Sequence, residues 1–194
     1  MRKLLAFVVL SAAAVGLARL PALAQAGQEP EIVVPFVPTD QKVVAAMLKM
    51  ADVKEGDTVY DLGCGDGRIV ITAVKDFKAK KGLGIDFNPE RLKDCEKSME
   101  AAKLSPEQKK KITFKQGDVL KMTPEEFKDV DVVTMYLLPE VNRRLAPVLQ
   151  KGLKPGSRIV SHDFDMGDWK EDKREEVQGS TRSHTVYLWT IKKK

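Results

Sequence analysis

Thr58-Val59-Tyr60-Asp61-Leu62 runs without a break into Gly63-Cys64-Gly65-Asp66-Gly67-Arg68, and the apolar stretch Ile69–Val74 follows. The first five residues read as a buried strand, and Asp66 to Phe77 reads as a helix. The glycines between them let the chain turn sharply and bring backbone N–H groups against a ligand. The helix offers its positive N-terminus to the same point. This junction is a seat for a carboxylate, and Asp61 at the strand end can accept from an ammonium beside it. A tight turn with no ligand would explain a lone Gly-x-Gly. It explains less well Asp-x-Gly-x-Gly-x-Gly set between a strand and a helix.

The same alternation continues along the chain. Thr39 or Asp40 can cap a helix to about Ala51, whose apolar face is Val43, Val44, Met47 and Leu48. Gly82–Phe87 reads as a second strand, and Pro89–Leu104 as a helix with proline in its first turn. Ile112–Gln116 is a third strand and Val130–Leu138 a fourth, followed by a helix from Pro139 to Lys151. Residues 153–157 form a turn before a fifth strand, Arg158–Asp163. Residues 164–173 read as a loop, residues 185–191 as a final strand, and Glu175–Gly179 as a short strand paired with it. Strands separated by helices predict an α/β fold, a mostly parallel sheet covered on both faces. Strand-like segments in succession at the end predict an antiparallel closing hairpin. In such sheets ligands bind beyond the carboxyl ends of the strands.

Two further acids fall at those ends. Asp86 closes the second strand about 20 residues after the loop, where an acid accepts from both hydroxyls of a ribose. An N-cap for the helix at Pro89 is the structural alternative, although Asn88 can take that role. Asp118, in Gln116-Gly117-Asp118-Val119, can accept from an adenine amino group while Val119 packs on the ring. Its alternative is an ordinary Asp turn. Asp86 alone does not separate nicotinamide dinucleotides from S-adenosylmethionine (SAM). The loop does so better, because dinucleotide sites favour Gly-x-Gly-x-x-Gly, and here the third glycine comes one residue early.

The segments DLGCGDGR, GIDFNPERL, QGDVL and VVTMYLLPE resemble successive motifs of class I SAM-dependent methyltransferases. Pro35-Phe36-Val37-Pro38-Thr39 ahead of the first strand, with DLGCGDGRIVI and YLLPEVNRRL, is similar to one family in particular. That family holds archaeal protein-lysine methyltransferases and the mitochondrial lysine methyltransferases of the adenine nucleotide translocase and the ATP synthase c-subunit. The likeness spans about residues 35–170. It implies a Rossmann-like seven-stranded sheet, helices on both faces, with the last strand antiparallel. It implies that Asp61, Gly63, Gly65, Asp86 and Asp118 contact SAM, and that Phe36, Pro38 and Thr39 close over its methionine end. It places Tyr136 to Pro139, with Tyr136, Leu137 and Pro139 foremost, along the methyl-transfer site. Residue by residue, PFVPT also reads as a proline-stiffened linker, and Tyr136 and Leu137 as core residues at a strand end. His162 and Asp163 could relay a proton and Trp169 could wall a substrate channel, but a strand-end histidine bonded to a neighbour is as good a reading.

The expected activity is methyl transfer from SAM to a lysine side chain of a protein partner. The domain shows no inserted lid, and an open site favours a large acceptor. A small-molecule or lipid methyltransferase at a membrane is the second reading, and an exported nucleoside-binding domain without turnover the third. No nucleic-acid partner and no metal site are expected, since no Cys/His cluster has zinc spacing.

Residues 1–26 differ from the rest. A basic start, an apolar run from Leu4 to Ala18, and Ala22-Leu23-Ala24 or Ala24-Gln25-Ala26 as cleavage sites mark an export leader. A membrane anchor is the alternative, since Leu4–Leu23 reaches the ~20 residues that span a bilayer. The expectation is a domain at residues 31–194 that is exported or anchored, with a domain facing the cytoplasm also compatible. Cleavage after Ala24 would leave 30 basic against 28 acidic residues, so the net charge of +5 falls to +2 and argues little for nucleic acid. Lys109-Lys110-Lys111 and Lys192-Lys193-Lys194 read as solvated ends. Cys64 and Cys95 do not make a disulfide framework, and the slot of Cys64 in the loop needs only a small residue.

Overall fold

The computed structural model describes residues 35–193, so the leader expected at residues 1–26 lies outside the described residues. In chain order the elements are α1 (Gln41–Met50), β1 (Thr58–Leu62), α2 (Arg68–Lys75), β2 (Lys81–Asp86), α3 (Pro89–Ala101), α4 (Pro106–Lys110) and β3 (Ile112–Gln116). Then come β4 (Val132–Met135), α5 (Pro139–Gly152), β5 (Arg158–His162), β6 (Lys173–Gln178) and β7 (Ser183–Thr190). Two short 3-10 turns, Val119–Lys121 and Pro124–Phe127, bridge β3 and β4.

The strands form one seven-stranded sheet in the order β3-β2-β1-β4-β5-β7-β6. Strands β1 to β5 pair in parallel, and β7 lies antiparallel between β5 and β6. This is the expected Rossmann-like sheet with its last strand antiparallel. The chain winds outward from β1 to β2 and β3, then returns to β4 on the other side. The crevice of such a sheet lies where the order reverses, beyond the ends of β1 and β4.

Period-two alternation along the strands sorts side chains between two cores. Val132 and Val160 join Val43, Val44, Met47, Leu48, Ile69 and Val70, under α1 and α2. Their chain neighbours Val133 and Ile159 face the other way, with Leu62, Met135, Leu145, Leu149 and Trp189, under α5. The apolar face expected for α1 is the buried one, and Asp40 caps it by accepting from Lys42 N–H at 2.8 Å. The outer strand β6 presents Lys173, Arg174, Glu175 and Glu176 to solvent, which protects an open sheet edge.

Several boundaries shift for local reasons. Helix α2 starts at Arg68 rather than Asp66, because Gly67 takes the cap position in a left-handed conformation. The long helix expected over 89–104 stops at Ala101, and Ser105 starts α4 with a reciprocal capping box to Gln108. Strand β4 keeps only Val132–Met135 of the apolar run 130–138, since Leu138 already precedes the first residue of α5. The short strand expected at 175–179 is β6, two residues longer at its start. Among the described residues no helix is long and apolar enough to cross a membrane.

Trp189 is fully buried on β7, and its Nε1–H donates to the Trp169 carbonyl at 2.7 Å. Trp189→Ala is expected to lower unfolding free energy by about 3–5 kcal/mol, measured by denaturant titration.

Candidate active site

The glycine turn is held from both sides. Gly63 and Cys64 N–H both donate to the Ile85 carbonyl, at 2.8 and 3.0 Å, which fastens the turn to the end of β2. Asp86 then takes Gly65 N–H on one carboxylate oxygen and Asn88 N–H on the other, each at 2.9 Å. Asn88, not Asp86, caps α3, by accepting from Glu90 N–H. Each oxygen of Asp86 keeps a second lone pair for another donor.

Two turn glycines meet the other motifs directly. Gly63 has φ +75°, and a Cβ there would lie 2.5 Å from Leu137 Cδ2. Gly65 has φ +55°, and a Cβ there would lie 2.5 Å from the Phe36 ring. The structure thus brings Phe36 of PFVPT, Leu137 of YLLPE and the DLGCGDG turn to one place. Phe36 remains 44% exposed, with the Arg91 guanidinium 4.5 Å above its ring. Thr39 is buried, its carbonyl accepts from Arg68 at 2.7 Å, and Arg68 pairs with Asp66. Pro38 is exposed.

Asp61 is 1% exposed. Thr134 Oγ1 donates to its Oδ1 at 2.7 Å, whereas Oδ2 has no partner. Burial, with the charges of Asp86 and Asp66 adding and the Thr134 bond opposing, pushes the Asp61 carboxyl up to about 7. A buried carboxylate oxygen without a donor is costly, and a cationic ligand group would relieve it. The methionine ammonium of SAM is such a group, so the residues fit the cofactor on an observation independent of motif spacing.

The remaining expected contacts are less committed. Asp118 caps the 3-10 turn at Val119–Lys121 by accepting from Leu120 N–H at 2.9 Å, which is the turn reading. Val119 is half-buried against the α5-side core. Pro139 is the first residue of α5 and half-buried.

Tyr136 sits just past β4, with its ring 3.8 Å from that of His162. A network extends behind it. His162 is fully buried at the end of β5, between Thr39 Oγ1 at 3.2 Å and His184 Nδ1 of β7 at 2.7 Å. Burial, helped by His184 and Arg182 and opposed by Asp163, pushes His162 down to about 4. It is therefore neutral at physiological pH. Asp163 has φ +62° and accepts from Thr185 N–H at 3.0 Å on Oδ1. Its Oδ2 pairs with Arg182 and lies 3.4 Å from Tyr136 OH. Burial opposes its ionisation, but the bonds from Arg182 and Thr185 leave its pKa below the usual value. Burial and the Asp163 charge raise that of the Tyr136 phenol. Buried Asn142 of α5 holds this loop, its Nδ2 lying 3.1 Å from Ser161 Oγ and the Asp165 carbonyl.

His184 and Arg182 carry no motif, and the pairing of β7 with β5 brings them to the site, whereas Asn142 lies within YLLPEVNRRL with nothing in the sequence to single it out. Trp169 lies apart from it, packed on Trp189 with ring centroids 6.2 Å apart. Cys64 and Cys95 are buried free thiols with sulfurs 3.9 Å apart, a meeting that a separation of 31 positions does not signal. The bond to Cys95 and burial raise the pKa of Cys64, so it is a protonated packing group.

A Rossmann-like sheet of this order, with a glycine turn facing an unpaired buried acid, is that of a class I SAM-dependent methyltransferase. A family model for the ANTKMT methyltransferase domain matches residues 61–173, and the chain belongs to that family. A protein-lysine N-methyltransferase of Saccharolobus islandicus is 42% identical over 158 residues, covering 81% of this chain and 94% of its own. The human lysine N-methyltransferase of the ATP synthase c-subunit is 26% identical over 147 residues, covering 73% of this chain and 57% of its own. Among solved structures, an RNA methyltransferase from Salinibacter ruber in complex with S-adenosyl-L-homocysteine superposes with a TM-score of 0.70 at 43% identity. That match covers 81% of this chain and 95% of the other.

The raised carboxyl of Asp61 has a measurable sign. Unfolded, Asp61 ionises near pH 4; folded without ligand, it ionises at about 7. Between these values the folded chain holds one proton more, so stability should fall as pH rises from ~4 to ~7. Asp61→Asn should remove that fall, seen as a flatter pH profile of urea midpoints. It should also weaken S-adenosylhomocysteine binding at pH 8 by about tenfold or more, read by calorimetry.

Proposed function

We infer that the protein is a SAM-dependent protein-lysine N-methyltransferase. The observation that carries this reading is the likeness, along nearly the whole of its length, to the archaeal protein-lysine N-methyltransferase. In the proposed assignment, Asp61 takes the methionine ammonium on its unpaired oxygen, and the turn N–H groups and the start of α2 take the carboxylate. Asp86 uses its spare lone pairs on the ribose hydroxyls. Asp118 and Val119 hold the adenine. Phe36, Pro38 and Thr39 cover the methionine end, Gly63 and Gly65 leave room for it, and Tyr136, Leu137 and Pro139 line the acceptor side.

Bound there, SAM supplies a methyl carbon on a cationic sulfur, and transfer to a lysine nitrogen leaves a neutral thioether. The chain's own task is to align the acceptor and deprive it of water. Alignment of this kind is worth roughly 7–11 kcal/mol in favourable cases. Holding a lysine neutral at pH 7 costs about 4–5 kcal/mol against its reference pKa. A half-buried channel beside a cationic sulfur reduces that cost without a strong base. The Tyr136 phenol stays neutral and can accept from, or donate to, the incoming amine.

Methylation of RNA is the second reading, because the Salinibacter relative bears that name. Incubating the full chain with methyl-labelled SAM, and separately with a protein mixture and with total RNA, decides between them. Label is expected in protein, at lysine on acid hydrolysis. Label confined to RNA or to small molecules would sink the lysine reading.

Residues 1–26 are proposed to be an export leader or a membrane anchor. Sequencing the amino terminus of the mature protein should find a start at Gln25 or Gly27 if the leader is cleaved, and Met1 in a membrane fraction if it is retained.

A further inference from the structure

We propose that Asp163 is the carboxylate that receives the ammonium of the acceptor side chain, and that Arg182 is a resident cation which the acceptor displaces from it. The choice of acceptor rests on the lysine reading; the geometry of the subsite does not.

Four observations converge on Asp163. It stands directly after β5, one strand over from Tyr136, at the carboxyl edge of the sheet. Its φ of +62° is one that a non-glycine residue adopts rarely, and the turn aims its side chain at the phenol. Its two oxygens are unlike. Oδ1 is fixed by Thr185 N–H in the β-hairpin, whereas Oδ2 faces only exchangeable or tilted partners: Arg182, the Tyr136 hydroxyl at 3.4 Å, and the two histidine nitrogens at 3.4 and 3.5 Å. Finally, the Asp163 side chain is 13% exposed while that of Arg182 is 51% exposed. The carboxylate is thus nearly covered, while the guanidinium paired with it is half exposed.

Arg182 is placed to leave. It lies in the β6–β7 turn, and besides Asp163 its guanidinium reaches only weak or local partners among the described residues: the Tyr136 hydroxyl at 3.4 Å and the Ser183 carbonyl next to it at 3.0 Å. The turn itself stays anchored without it, since Ser180 N–H donates to Asp40 Oδ2 at the cap of α1, at 2.8 Å. A lysine ammonium entering at Oδ2 would exchange one cation for another. The carboxylate would never be left buried and unpaired, which is the expensive state. This pair is a docking state, with the ammonium against the Tyr136 hydroxyl and the uncharged face of His162 behind it; the side chain must release its proton and leave the carboxylate before its nitrogen can take a methyl group. A divalent cation is a poorer occupant of the same corner. It would have to expel Arg182 and also break the 2.7 Å bond between His162 and His184.

The test is binding of Nα-acetyl-lysine methylamide to the full chain loaded with S-adenosylhomocysteine, followed by NMR titration, with the Nε-acetylated compound as neutral control. Asp163→Asn keeps an oxygen for Thr185 N–H, and unchanged S-adenosylhomocysteine affinity verifies its fold. Asp163→Asn should weaken the amine roughly five- to tenfold, and Arg182→Gln should tighten it several-fold, the opposite direction. The double variant should match Asp163→Asn alone, and the neutral control should not bind. A merely structural ion pair predicts instead that both single variants weaken the amine together. That result, or wild-type affinity in Asp163→Asn, would overturn the proposal. The comparison holds whether or not protein lysine proves to be methylated, so loss of the lysine reading and loss of this subsite give different results.

Discussion

Asp61 is buried to 1% exposure, and only one of its carboxylate oxygens has a donor. A folded domain keeps such a group only if something else stabilises the arrangement. Here the rest of the carboxyl edge is built around it. Parallel pairing of β1 with β4 sets Asp61 opposite Thr134, whose hydroxyl fixes the first oxygen. Pairing with β2 brings the Ile85 carbonyl and the Asp86 carboxylate under the glycine turn, so the turn is fastened before any ligand arrives. The second oxygen is left buried without a donor, at the end of the strand beside which the strand order reverses. The strain sits in one atom, and a cation of the right reach relieves it.

Most of this half of the site was legible in the residues, because it is local. Strand, glycine turn and helix follow one another between Thr58 and Lys75, and β1 and β3 have the limits expected of them. What local patterns missed were endings. The chain leaves α3 at Ala101 because Ser105 and Gln108 begin a new helix there, and it leaves β4 at Met135 because Pro139 opens α5. Apolar content alone does not reveal either stop. Capping residues do, when they are weighed as heavily as hydrophobic periodicity.

The other half was illegible for a different reason. Thr39 meets His162 across 123 positions, and His162 meets His184 across 22. Neither contact exists without the sheet, since β7 must pair antiparallel with β5 before His184 can face inward. In sequence, His162 and Asp163 read as strand-end residues that could relay a proton. Burial holds that imidazole neutral, so its role is to back the Tyr136 ring and to tie the PFVPT segment to β5. Phe36 likewise stands out by its motif, but its reason lies in Gly65, whose missing side chain is the space the ring fills.

These two halves differ in how they can change. The proposed cofactor side centres on consecutive turn residues whose backbone geometry is demanding, since a side chain at Gly63 or Gly65 would collide with Leu137 or Phe36. The proposed acceptor side is made by side chains just past β4 and β5 and in the β6–β7 turn. Among the described residues, Ser180 N–H of that turn donates to Asp40 at the head of α1. Residues such as Arg182 can therefore be exchanged without disturbing the glycine turn. A domain built this way can keep one methyl donor and present it to different acceptors. That is consistent with one sheet architecture serving relatives named for lysine and for RNA. In the proposed arrangement the choice of acceptor rests on a few side chains at the hairpin end of the sheet, the Asp163–Arg182 pair among them.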